Sequence, residues 1–214
     1  TSKESYYNHL KNLLLEFLTT KYPEYDKDIF KKKIDHTIFQ IYNNVFIPTL
    51  YDVDNLLNPK FNDNLEFSYK NYERMYILRL ISYSLNKKMI SDKYTNIYNF
   101  GIEEIKEPLN ILEIGGGIPH GLIYNVWKKG NTFIKNFTYV DANLLHAEFV
   151  EWYCKKLNIS TDVKLFKPSK TPVLDNIKYD FVFAKDVFEH LDAPEILIDY
   201  LINNTADNKT LLCI

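Results

Sequence analysis

The stretch Leu109-Asn110-Ile111-Leu112-Glu113-Ile114-Gly115-Gly116-Gly117-Ile118-Pro119-His120-Gly121 decides the fold of this chain. An apolar run carries an acid near its end, breaks into consecutive glycines and resumes with residues suited to a helix. The order predicts a buried strand, a tight turn and a helix start. Glycine tolerates a positive φ and lets a ligand come close to the backbone, while the first amides of the following helix lack partners inside it.

Downstream of about Pro108, short apolar runs alternate with amphipathic segments, the pattern of a parallel sheet with crossover helices. Strands are expected at Asn110 to Ile114, Phe137 to Val140, Val163 to Phe166, Asp180 to Ala184 and Thr210 to Ile214. Helices are expected at Pro119 to Lys129, Leu144 to Leu157 and Ala193 to Asn203. For the last, Asp192 is the expected cap, with Pro194 in the first turn and Glu195 completing a capping box.

Upstream, apolar residues recur at helical spacing. Tyr6, Leu10, Leu13, Leu14, Phe17 and Leu18 form one stripe, stopped by Pro23. Phe30, Ile34, Ile38, Ile41 and Tyr42 form a second, ending near Pro48. After Asn55 to Asn64, a third runs through Tyr72, Met75, Tyr76, Leu78, Ile81 and Leu85. The fold class is therefore α/β, a Rossmann-like doubly wound parallel sheet preceded by a helical N-terminal segment. The expected division is a helical segment over residues 1–100, either a lid or acceptor-binding part or simply a packing layer, and a ligand-binding domain over 101–214.

Composition narrows the function classes. A formal net charge of -2 and pI near 6.2 leave no excess of cations to displace counterions from nucleic acid, so short basic runs such as Lys31 to Lys33 read as solvated faces. No apolar run has the length of a membrane span. Cys154 and Cys213 are too few for a disulfide framework and belong to no metal-ligand cluster, so reduced thiols in a cytoplasmic protein are the expectation. Glu189 and His120 lack companion ligands, and no metal is expected.

Three readings of the glycine loop compete. Gly116 and Gly121 have Walker A spacing, but Leu122 stands where the phosphate-binding lysine belongs. A dinucleotide fingerprint would start at Gly115 and Gly117, but its third position is His120, where close helix-to-strand packing asks for a small residue. Third, Leu112-Glu113-Ile114-Gly115-Gly116-Gly117 resembles the first motif of class I S-adenosylmethionine-dependent methyltransferases, a resemblance that covers roughly residues 108–214. It implies that the loop backbone at Gly115, Gly116 and Gly117 contacts the amino-acid end of S-adenosylmethionine and that Glu113 helps to orient it. The family's third glycine is Pro119 here.

Phe137-Thr138-Tyr139-Val140-Asp141-Ala142-Asn143 follows at one crossover's distance and ends the second strand in an acid. A carboxylate at this strand tip can accept from both ribose hydroxyls, and the resemblance places Ala142 and Asn143 beside the ribose and adenine edge. Asp141 or Asn143 can equally cap the next helix. Phe166-Lys167-Pro168-Ser169 offers no acid for an adenine amino group. Lys178 to Leu191 resembles the family's fourth-strand segment, in which an Asp enters a buried strand and Glu-His-Leu follows its exit. Lys185 is placed at the cofactor by the same resemblance.

The strand exit Ala184-Lys185-Asp186-Val187 lacks the Asp/Asn-Pro-Pro-aromatic motif of base methylases. A small-molecule acceptor, such as a metabolite, sugar or natural-product intermediate, is therefore expected, methylated at oxygen or nitrogen. His190 and Asp186 are the candidate bases for an acceptor that must lose a proton. Two alternatives stand beside this reading: a methyltransferase-like scaffold without catalysis, and a nicotinamide-dependent oxidoreductase. Because the sequence stops at Leu211 to Ile214 while the family's sheet continues, the expectation is a truncated domain whose open edge is covered by further chain, the N-terminal helices or an oligomeric partner.

Overall fold

The computed structural model describes residues 2–42, 77, 80–85, 103, 107–115, 117–165, 174, 177–184, 187–205 and 210–213. Two helices, α1 (Ser2–Lys21) and α2 (Lys27–Tyr42), precede a sheet of β1 (Leu109–Ile114), β2 (Ile134–Asp141), β3 (Thr161–Leu165), β4 (Phe181–Ala184) and β5 (Leu211–Cys213). Between the strands lie α3 (His120–Lys129), α4 (Leu144–Lys156) and α5 (Pro194–Tyr200), the last running into a π-type turn over Leu201–Thr205. The strand order is β3-β2-β1-β4-β5 and every pairing is parallel, which is a Rossmann-like doubly wound sheet.

The five expected strands form, each within a few residues of its expected bounds. Phe166 and Ile214, expected strand ends, lie outside the described residues. The start of α5 differs from expectation. Ala193, not Asp192, occupies the cap position, and no side chain caps the helix; Pro194 alone supplies the start signal, its ring fixing φ where an amide donor is not needed.

Side chains alternate across the strands and divide the interior into two layers. Leu109, Ile111, Phe137, Tyr139, Phe181 and Phe183 face α3, α4 and α1 in one apolar cluster. Leu112, Ile114, Val140, Val182 and Ala184 face Tyr179, Leu197 and Leu201 in the other. Burial on both faces explains why the strands read as continuous apolar runs.

The six apolar residues of the α1 stripe are all buried in the first cluster, each contributing about 1.5–3 kcal/mol on full burial. Phe17 meets Phe149 of α4 edge-on at 5.3 Å, Lys21 pairs with Glu148 at 2.7 Å, and the Tyr6 hydroxyl donates to the His120 carbonyl at 3.2 Å. This helix is thus built into the sheet's core. In α2, Phe30 and Ile34 are buried as the second stripe predicts, while Ile38 is half-buried. Of the third stripe, Ile81 and Leu85 are buried, joined by Ile77 and Leu80, whereas Tyr72, Met75, Tyr76 and Leu78 lie outside the described residues. Among the described residues, no helix is long and apolar enough to cross a membrane.

The fourth-strand acid turns out to sit far from the carboxyl ends of the strands. Asp180 Oδ2 accepts the Asn110 N–H at 2.7 Å, and the Asp180 N–H donates to the Asn110 carbonyl at 2.9 Å. The pair pins the entrance of β4 to that of β1 and fixes the register that places Ile114 opposite Ala184.

Candidate functional site

The order β3-β2-β1-β4-β5 reverses direction between β1 and β4, and open α/β sheets take their ligands at the carboxyl ends of the strands beside such a reversal. The glycine loop and the end of β2 meet there, because Ile114 lies beside Val140 in register.

Gly115 has φ +62° and donates its N–H to the Val140 carbonyl at 2.6 Å. A Cβ here would lie 2.5 Å from Val187 Cγ2, so Val187, three residues past the end of β4, packs directly on the loop. Gly117 has φ +71°, and its missing Cβ would stand 3.0 Å from the Tyr83 ring and 3.3 Å from His146 Cε1. Both glycines are required by conformation and by the side chains packed over them. Gly116 lies outside the described residues.

Asp141 is 6% exposed and ties three elements together. Its Oδ1 accepts the Asn143 N–H at 2.7 Å; its Oδ2 accepts the Tyr139 hydroxyl at 2.7 Å and the Gly117 N–H at 3.3 Å. The same Tyr139 hydroxyl also contacts the Gly117 carbonyl oxygen. Burial pushes the Asp141 carboxyl up, but the His146 imidazole 3.9 Å away, the Asn143 amide and the Tyr139 hydroxyl outweigh it and hold the group below its ordinary value. Asp141 is therefore a buried carboxylate at neutral pH.

Asn143 caps α4, its Oδ1 accepting from Leu145 N–H at 3.0 Å and His146 N–H at 3.1 Å. The capping role weighed for this segment thus falls on Asn143, whose N–H is held by Asp141. Ala142 forms the half-buried bend between them. Glu113 is 3% exposed on β1, opposite Tyr139 and Phe183. Glu113, Gly115, Gly117, Asp141, Ala142 and Asn143 are thereby gathered at one end of the sheet.

His190 is exposed on a 3₁₀ turn, Phe188–His190, directly after Val187. Lys185 and Asp186 lie outside the described residues.

His120 stands where a dinucleotide fingerprint would carry its third glycine. Its ring is buried and Nε2 lies 3.0 Å from the Tyr83 carbonyl, which can only accept, so Nε2 carries the proton. Burial lowers its pKa to about 4, against a weaker raising effect of that hydrogen bond. Both of its contacts reach upstream: the ring meets the Tyr83 carbonyl, and the His120 carbonyl accepts the Tyr6 hydroxyl at 3.2 Å.

Tyr139, Tyr83, Val187 and His146 were not singled out by sequence. Tyr139 was discoverable, since it stands two residues before Asp141 and so shares its face of the strand. Tyr83 and Val187 carry no local signal; only the tertiary fold brings them to the glycines.

The fold and the loop define a Rossmann-like α/β protein with a glycine turn and a buried carboxylate at its switch point. No family model matches the chain, and no curated protein does. Among solved structures it is similar to the plantazolicin methyltransferase BpumL in complex with SAH, at 17% sequence identity and a TM-score of 0.45, covering 86% of this chain. The chain spans 60% of the length of that structure.

Proposed function

We propose that the chain binds S-adenosylmethionine at the carboxyl ends of β1 and β2 and uses it to methylate a small-molecule acceptor. The observation that carries this reading is the link from Gly117 N–H to Asp141 Oδ2, which joins the glycine loop to the acid at the second strand's tip. The residues fit a nucleoside: Asp141 is a charged acceptor at the tip of β2, held in place by Gly117, Tyr139, Asn143 and His146. Asn143 adds a buried Nδ2 with no partner among the described residues. His120 disfavours the dinucleotide alternative, because a ring fills the position that close packing in that fingerprint reserves for a small residue.

In this assignment Gly115, Gly116 and Gly117 receive the amino-acid end, which Glu113 helps to orient. Asp141, Ala142 and Asn143 receive the ribose and adenine edge, and Lys185, next to Ala184 in sequence, is assigned to the cofactor as well. When bound, S-adenosylmethionine supplies an electrophilic methyl group. The chain's part is to align the acceptor and, where the acceptor must lose a proton, to take it on His190 or Asp186.

Calorimetry of the folded chain with S-adenosylmethionine and S-adenosylhomocysteine tests the foundation. Saturable binding of both, weakened about tenfold or more by Asp141→Ala, is expected; a folded protein that binds neither removes the proposal. Turnover against a panel of small hydroxyl and amine acceptors then separates an enzyme from a non-catalytic scaffold.

A further inference from the structure

Gly117 is buried, and both of its polar groups are engaged inside the protein. Its N–H donates to Asp141 Oδ2 at 3.3 Å and its carbonyl oxygen accepts the Tyr139 hydroxyl, so β2 holds the residue from one side. The other side, where any other residue would carry a Cβ, is covered by two rings. A Cβ there would meet Tyr83 Cδ1 at 3.0 Å and His146 Cε1 at 3.3 Å. The two rings also face each other, with centroids 5.6 Å apart at 54°. His146 belongs to α4, but Tyr83 comes from the helical residues 80–85, upstream of the whole sheet.

That stretch is firmly seated. Ile77, Leu80, Ile81 and Leu85 are buried in the same apolar cluster as Ile111 and Leu122, on either side of the glycine loop in sequence. The Tyr83 carbonyl oxygen accepts from His120 Nε2 at 3.0 Å. Residues 80–85 therefore grip the loop region twice, by a backbone oxygen at His120 and by a ring at Gly117. The second grip matters because Gly117 has φ +71°, and a glycine visits both signs of φ with little preference. A loop that loses the packed ring has to be ordered when its ligand arrives, and that ordering lowers affinity.

We propose that Tyr83 is a positioning residue: with His146 it presses its ring on the bare Cα of Gly117 and holds the glycine loop against Asp141 in the shape that receives the ligand. The proposal rests on the nucleoside reading of the site. It makes residues 80–85 part of the cofactor site through the loop they hold. The contact is made by a ring carbon, so the ring carries the effect and the hydroxyl does not.

The test is calorimetry with S-adenosylhomocysteine on the folded wild type, Tyr83→Phe, Tyr83→Ala, Gly117→Ala and the Tyr83→Ala/Gly117→Ala double variant, each well below its thermal midpoint so that lost stability alone leaves affinity unchanged. Tyr83→Phe keeps the ring and should bind within about twofold of the wild type, whereas Tyr83→Ala should lose more than about fivefold. Gly117→Ala brings both the strain of a positive φ and the overlap with Tyr83. In the Tyr83→Ala background that overlap is gone, so the further loss should be smaller by about threefold or more. A smaller loss in Tyr83→Ala, a larger one in Tyr83→Phe, or equal Gly117→Ala losses in the two backgrounds overturns the proposal and leaves the nucleoside reading intact. A folded wild type that binds neither S-adenosylhomocysteine nor S-adenosylmethionine overturns that reading and the positioning role with it. If Tyr83→Ala does not fold, Tyr83→Leu replaces it, keeping an apolar side chain without the flat ring, and its loss must exceed that of Tyr83→Phe; equal affinities overturn the proposal. If Gly117→Ala does not fold, the comparison of Tyr83→Phe with Tyr83→Ala decides alone.

Discussion

The His120 Nε2 lies 3.0 Å from the carbonyl oxygen of Tyr83, a hydrogen bond that joins the helix after the glycine loop to the helical residues 80–85 and fixes the imidazole in one neutral tautomer. Burial holds its pKa at about 4, below the ordinary 6.5. Between those values the unfolded chain binds the proton and the folded chain does not. Stability is therefore full above about pH 6.5 and falls as pH drops toward 4, by on the order of 3 kcal/mol. His120→Gln keeps a donor for Tyr83 and removes the titration. Urea unfolding at pH 7, 5.5 and 4 should show the wild type losing stability across this window and the variant losing much less. Asp141 is depressed from 3.8, so its loss begins only at lower pH and leaves the histidine window readable.

Gly115 and Val187 make a second coupled pair. Gly115→Ala places a Cβ 2.5 Å from Val187 Cγ2 at a φ of +62°. The backbone conformation costs about 1–2 kcal/mol and the overlap about 1–3 more. Val187→Ala removes the overlapping methyl but leaves the backbone cost. The double variant is expected to be less destabilised than the sum of the singles by about 1 kcal/mol in chemical denaturation. Strict additivity would show that Val187 moves aside freely.

How far the sequence could be read follows from these contacts. The strands, the crossover helices and the acid at Asp141 were legible because a buried parallel strand and an amphipathic helix write different periods into the chain. The α1 stripe was legible for the same reason, though not its place in the sheet's core, which depends on partners such as Phe149 and Glu148 far along the chain. The cap at Asp192 failed because a local motif states what a side chain can do; the backbone put Ala193 at the cap. At the site, the glycines and Asp141 were readable one at a time, but the Tyr139 bridge and the closure by Tyr83 and Val187 exist only once β1, β2 and β4 are in register. Asp180 shows the converse, a motif residue whose position in the fold assigns it to strand registration.

Asp180→Ala separates structure from binding. It deprives the Asn110 N–H of its acceptor at the entrance of β1, roughly 13 Å along the strand from the glycine loop at about 3.3 Å per residue. Because Asp180 is half-buried, water recovers part of the bond, and a loss of about 1–2 kcal/mol in unfolding free energy is expected. Affinity for S-adenosylhomocysteine should stay within about twofold of the wild type at temperatures where the variant is folded. A large loss of affinity would mean that strand register is felt at the site.

Asn143 carries two duties on one side chain, and two substitutions part them. Its Oδ1 caps α4, while its Nδ2 is buried with no partner among the described residues. Asn143→Ala loses the cap and should cost about 1 kcal/mol. Asn143→Ser keeps an oxygen at the cap and removes the stranded donor, so its stability should lie within about 0.5 kcal/mol of the wild type. If Nδ2 is kept for a ligand, Asn143→Ser weakens S-adenosylhomocysteine binding several-fold while the thermal midpoint hardly moves. Wild-type affinity in a stable Asn143→Ser protein would restrict Asn143 to capping and leave the ribose edge of the site to Asp141 alone.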